Sequence, residues 1–152
     1  MKSKAEKSKV EVKLVNIGDA SEATGISQKM IRHYESHGLL GNLPRTDNGY
    51  RVYDDNALHT LTFIRKARDM GFGIAEIDKL VELWHNRRRS SATVKKMAEA
   101  NVNELQQRIE ALQAMQRSLQ DLIKQCAGDN RPGCPILDDL SGKAKKAAKA
   151  KK

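Results

Sequence analysis

NIGDASEATGISQKMIRHYESHGL, residues 16–39, holds two short helical patterns separated by one glycine-bearing turn. Asn16 suits an N-cap, the apolar residues Ile17, Ala20 and Ala23 recur at helical spacing, and Gly25 provides a stop. Ser27 opens the second pattern. There Met30 and Ile31 fall with Tyr34 on one side, Gln28, Lys29 and Arg32 face outward, and Gly38 ends the run. Two short helices joined this tightly predict a helix-turn-helix.

Moving outward, LLGNLPRTDNGYRVY (residues 39–53) places Pro44 and the Asn48-Gly49 pair between β-prone flanks. Leu43 to Arg45 and Tyr50 to Tyr53 therefore read as a small hairpin, with Asn-Gly as its turn. Asp54 can cap a third helix that runs to about Met70 and buries Leu58, Leu61, Phe63, Ile64 and Ala67. Gly71 and Gly73 break it; without a third glycine or a preceding strand they read as a hinge and not as a nucleotide loop. A fourth helix, Ile74 to about Trp84, precedes the polar run HNRRRSS. From Ala92 to Cys126 there is no Gly or Pro, and positions 98, 102, 105, 109, 112, 116, 119 and 123 step alternately by four and three. Only Gln116 interrupts this apolar seam. A sustained 3.5-residue period predicts a coiled coil roughly 50 Å long, and no other helix in the chain is long enough to cover it, so the expected partner is a second copy.

The 152 residues carry 28 Lys+Arg against 19 Asp+Glu, a formal charge of +9. A basic balance of that size invites a nucleic-acid reading, but the excess lies at the two ends. Residues 1–13 and the lysines from Lys143 to Lys152 account for all of it, leaving residues 14–140 with no net charge. These Lys/Ala/Ser ends read as disordered, solubilising or appended segments, with sequence-independent phosphate affinity as the sharper alternative. No apolar run approaches the roughly 20 residues of a membrane span, and the basic start is not followed by the apolar core of a secretory signal. The expected compartment is reducing cytoplasm.

Attraction to DNA would have to come from charge segregated onto one face. Lys29, Arg32 and Tyr34 are the candidates on the second helix, and Arg45 and Arg51 flank the hairpin tip. Arginine can read guanine edges bidentately, whereas Lys and Tyr more often hold phosphate. The four histidines are dispersed, and no Ser/His/Asp set, phosphate loop or paired carboxylates suggest an enzyme.

Cys126 and Cys134 are the only cysteines and flank AGDNRPG just after the long helix. Three readings compete: a disulfide, disfavoured in a reducing compartment; independent thiols, which are usually core residues; and a ligand pair for a soft metal. Zinc normally takes four ligands, so it would need borrowed carboxylates such as Asp129. A monovalent d¹⁰ ion needs only two thiolates, which favours a two-coordinate site. Arg131 is the cation inside the loop, while Ile136 and Leu137 are expected to shield the site and Leu140 to pin a short following helix.

The first motif, followed by R45-T-D-N-G-Y50-R51 and by RKARDMGFGIAEI, resembles the MerR family of winged-helix transcription regulators over about residues 14 to 140. The resemblance implies a mainly α fold: a winged helix-turn-helix head with a small β-hairpin wing, a long antiparallel coiled-coil dimerisation helix and a C-terminal metal-binding loop. It divides the chain into a basic extension (1–13), a DNA-binding domain (14–85), a dimerisation helix (86–125), a metal-binding loop with a short helix (126–140) and a Lys-rich tail (141–152). It implies a cytoplasmic, nucleoid-associated homodimer on a palindromic promoter, contacted by Lys29, Arg32, Tyr34, Arg45, Tyr50 and Arg51. On binding its effector the dimer would distort the DNA so that RNA polymerase can engage.

CPILDDLSG and the seven-residue cysteine spacing are similar to the copper-efflux branch. That branch implies one Cu(I) per subunit, or Ag(I) or Au(I), at Cys126 and Cys134. Where the divalent and mercury branches place a further cysteine, this chain has Ser91, itself a candidate helix cap. The competing functions are a divalent-metal (zinc) sensor and a non-sensory DNA-architectural or coiled-coil interaction protein.

Overall fold

The structure, a computed structural model, describes residues 11–129 and 132–142; the expectations for the two basic ends and for Arg131 lie largely outside them. Among the described residues six helices follow in order: α1 (Ile17–Thr24), α2 (Gln28–Ser36), α3 (Asp55–Asp69), α4 (Ile74–His85), α5 (Ser91–Gln125) and α6 (Pro135–Leu140). The chain forms two units, residues 1–101 and 102–152. None of the described helices is long and apolar enough to cross a membrane.

In the first unit the helix starts are set by short polar side chains. Asn16 accepts from Asp19 N at 2.9 Å, Ser27 from Met30 N at 3.2 Å and Asp54 from Ala57 N at 2.8 Å, each filling one orphan N–H of a first turn. Gly25 ends α1 in the left-handed region (φ 69°) and returns its N–H to Ser21 O at 2.8 Å. A side chain there would be strained and would also meet the Arg65 guanidinium, which donates from α3 to Thr24 O at 2.7 Å. Arg65 thereby satisfies a terminal carbonyl of α1 and ties the first helix to the third. At the other end of α3, Gly71 takes φ 90°, and Glu76 accepts from Gly73 N at 2.8 Å to open α4. The two glycines thus form the expected break.

These helices enclose one core in which Ile31, Tyr53, Leu61, Ile64 and Ile77 are almost wholly shut from water. Phe63 stands partly outside it, stacked on Trp84 with ring centroids 4.7 Å apart. The core reaches past the expected domain boundary at residue 85, because Val94 and Met97 of α5 pack against it and buried Asn101 donates to Met70 O at 2.8 Å. Ser90, not Ser91, supplies the cap-like contact at the start of α5, accepting from Ala92 N at 3.2 Å.

The expected hairpin is not formed as paired strands: among the described residues the chain reverses there with an isolated bridge and no strand. Arg45 faces Arg51 in a single antiparallel bridge, Val52 N donates to Pro44 O at 3.0 Å, and Gly49 N donates to Thr46 O at 2.8 Å across the turn. Pro44 has no N–H to extend the ladder. The chain is instead clasped farther on, where Val15 and Tyr53 exchange backbone hydrogen bonds of 2.9 and 2.8 Å.

In the second unit α5 continues alone. From Val102 onward no described residue is buried, and Val102, Ile109, Leu112, Met115, Leu119 and Ile123 are exposed.

Candidate nucleic-acid interface

Arg32, Arg45, Tyr50 and Arg51 line one concavity of about 410 Å³ together with Asn16, Ile17, Glu35, Gly49 and Tyr53. Four of the six residues expected to meet DNA are thus gathered by three chain segments: the start of α1, the exposed side of α2 and the turn at residues 44–52. Arg45 Nη1 donates to Gly49 O at 3.0 Å and braces the turn. Tyr50 is 73% exposed at its rim. Lys29 is exposed on α2 but does not line the concavity.

Tyr34 departs from the expectation of an exposed contact. It is 4% exposed and belongs to the core, because a residue three positions after Ile31 shares Ile31's buried side of the helix. The sequence pattern already grouped it with Met30 and Ile31, so the two readings of Tyr34 were in conflict, and packing decides between them.

Sequence reasoning missed Glu35. Its side chain is 4% exposed and accepts from both the Arg51 guanidinium and the Tyr53 hydroxyl. Burial pushes the Tyr53 hydroxyl above its ordinary pKa, outweighing the opposite pull of the Arg51 and Arg32 charges. Only its place one residue beyond Tyr34 was visible in the sequence; its partners lie 16 and 18 positions away.

The cysteines lie in the second unit. Cys126 follows α5, its N–H bonded to Ile123 O at 3.1 Å; Cys134 immediately precedes α6, and its carbonyl accepts from Asp138 N at 3.0 Å. Both thiols are free and half-buried. No group of three or more His, Cys, Asp and Glu is gathered for a metal among the described residues. Among the described residues the expected apolar shield is only partly formed. Ile136 is half-buried, but Leu137 and Leu140 are 65% and 75% exposed.

A capped helix-turn-helix with an arginine-lined hollow beside its second helix defines a DNA-binding regulator. Residues 15–84 match the model of the MerR HTH family regulatory protein, and residues 58–122 match that described as MerR, DNA binding. The chain is 46% identical over 127 residues to heavy metal-dependent transcription regulator 2 of Rhizobium meliloti, covering 84% of this chain and 86% of that one. It is 43% identical over 128 residues to the HTH-type transcriptional regulator CueR of Salmonella typhimurium, covering 84% and 93%. Among solved structures, the regulator PbrR691 of Ralstonia metallidurans CH34 in complex with lead(II) is similar with a TM-score of 0.71 at 28% identity, over 83% of this chain and 98% of that one. The chain belongs to the MerR family of DNA-binding transcription regulators, which are not enzymes.

Proposed function

We infer that this protein is a metal-responsive transcription activator. It binds a palindromic site in double-stranded promoter DNA as a homodimer and reads Cu(I), or Ag(I) or Au(I), one ion per subunit, through Cys126 and Cys134. The observation that carries the metal reading is the pair of free, half-buried thiols in the loop between α5 and α6, with no third donor gathered among the described residues. Two thiolates match the softness and low coordination number of a monovalent d¹⁰ ion, whereas structural zinc prefers four ligands. A relative named as heavy metal-dependent, beside one named CueR, supports the response to a metal.

The dimer reading rests on α5. Its apolar seam is exposed from Val102 to Ile123, and burying such a stripe against an antiparallel second copy is the economical solution. On the DNA side, Lys29, Arg32, Arg45, Tyr50 and Arg51 are the contacts, arginines reading bases or phosphate and Tyr50 fixing register. Cys126 and Cys134 would hold the ion between their sulfurs, and its binding would bias the position of α6, which begins at the residue after Cys134. The heads then distort the promoter, at a cost of a few kcal/mol supplied by contacts on both half-sites. RNA polymerase engages the distorted promoter and metal-efflux or detoxification genes are expressed, in the cytoplasm on the nucleoid.

Anaerobic titration of the reduced protein with Cu(I) and Zn(II), read by stoichiometry and X-ray absorption, tests the metal reading. One Cu(I) per subunit with two sulfur neighbours is expected. A four-coordinate Zn(II) site of higher affinity would replace it with a divalent-metal sensor.

A further inference from the structure

Within the arginine-lined hollow there is one buried negative group, and it touches both parts that the hollow joins. Glu35 belongs to α2. Its carboxylate takes the guanidinium of Arg51 on one oxygen and the hydroxyl of Tyr53 on the other. Tyr53 is itself fixed, its ring 1% exposed and its backbone bridged to Val15. Glu35, Arg45 and Arg51 also line a second concavity, of about 370 Å³, with Gly41, Asn42 and Leu43. The carboxylate therefore stands where α2 meets the turn at residues 44–52, whose own hydrogen bonds, Thr46 N to Tyr50 O at 2.8 Å, Val52 N to Pro44 O at 3.0 Å and Arg45 Nη1 to Gly49 O at 3.0 Å, close the turn on itself and do not reach α2.

A carboxylate among Arg32, Arg45 and Arg51 is unfavourable for simple attraction to phosphate. It cancels part of the positive potential that would draw DNA of any sequence. What it gives in return is position. Arg51 has a side chain 46% exposed, and a free arginine there would sample many rotamers; paired with Glu35, its guanidinium is held against α2, the helix that carries Arg32.

We propose that Glu35 is a positioning residue for specificity: it anchors Arg51 and Tyr53 to α2 so that helix and wing meet DNA in one register, and it lowers affinity for DNA of arbitrary sequence. The proposal rests on the reading that this hollow faces DNA.

The two effects have opposite signs, and that makes the proposal testable. A 30-bp duplex selected from a random pool by the unmodified dimer serves as the specific probe, and an unselected random duplex as the non-specific one. Glu35→Gln keeps the size and one acceptor oxygen but removes the charge. Its affinity for the selected duplex is expected to fall about tenfold or more, while its affinity for the random duplex rises several-fold and its salt dependence there steepens by up to about one counterion. A variant that merely folded less well would lose both affinities together. Tyr53→Phe, which removes one hydroxyl and no charge, should lower binding to the selected duplex while leaving the random duplex unchanged.

Equal losses on both probes by Glu35→Gln, with the unfolding midpoint preserved, would overturn the proposal, as would no change on either. If Glu35→Gln does not fold, the Tyr53→Phe pair of measurements decides, a flat response on the selected duplex overturning it. Arg32→Ala and Arg45→Ala separate the two levels. If both bind the selected duplex normally at matched salt, the hollow does not face DNA, and that reading fails first. If they weaken binding while Glu35→Gln does not, only the role of Glu35 fails.

Discussion

The head and the unit that follows it solve the problem of apolar surface differently. Up to Asn101 the chain covers its own: Ile31, Tyr53, Leu61, Ile64 and Ile77 are shut from solvent by α1 to α4 and the first turns of α5. Beyond it, Leu112 and Leu119 stand 63% and 51% exposed, the cysteines are half-buried, and no described residue of that unit is buried. The head's stability is a property of one chain, whereas the order of the second unit depends on whatever covers it. A sensor gains from that division, because elements that respond to a ligand are drawn from the less stable end of a structure.

The largest effect that could break this comparison is functional. Cys126→Ser or Cys134→Ser is expected to abolish metal-dependent transcript output, since one thiolate cannot replace two, while DNA binding by the head persists. Measuring both in the same variant separates the units. Loss of DNA binding together with loss of induction would show that they are not independent.

Next comes stability. Ile64→Ala, in the closed core of the head, should cost about 2–5 kcal/mol, with a denaturation midpoint that does not depend on protein concentration. Leu119→Ala should leave the head's midpoint in place and weaken self-association by at least about tenfold, measured by sedimentation. If Leu119→Ala instead lowered a concentration-independent midpoint, the seam would be packed within one chain. On the DNA side, Arg32→Ala should weaken binding to a selected duplex by about 1–3 kcal/mol and relax sequence preference. An unaltered salt-matched affinity would remove α2 from the interface.

What the sequence revealed follows the range of the interactions. Caps three residues away from their N–H partners were legible at Asn16, Ser27 and Asp54, as were the glycine stop at Gly25 and the break at Gly71 and Gly73. The heptad seam was legible for the same reason. Contacts that close the head over long separations were not: Arg65 on Thr24 O spans 41 positions, and the clasp of Val15 on Tyr53 has no local signature. The Asn48-Gly49 turn correctly foretold a reversal, but how far it extends depends on the ladder partners on either side. Tyr34 shows the limit within one helix, where function and packing claimed the same side chain and the 3.6-residue period favoured packing. For the thiol loop, the cysteines and the Gly/Pro content were plain in the sequence, whereas the exposure of Leu137 and Leu140 was not, because what a short helix packs on is not written in its own six residues.

The smallest effect concerns Tyr53 and sharpens the head's side of the comparison. Burial raises this hydroxyl's pKa above its ordinary value near 10, so at alkaline pH the folded head retains a proton that the unfolded chain has lost. Stability then falls with rising pH: the contribution is complete below the unfolded pKa and is lost as pH rises through the folded one. Tyr53→Phe removes the titration and also the hydrogen bond to Glu35, so at neutral pH the variant should be less stable by about 0.5–1.5 kcal/mol. From about pH 9 to 11 the difference should narrow, because only the unmodified head loses stability through this group. Urea midpoints of the two proteins across that range provide the check. A constant difference would mean that the hydroxyl titrates alike in folded and unfolded chains, and that the pairing beneath the wing is open to water.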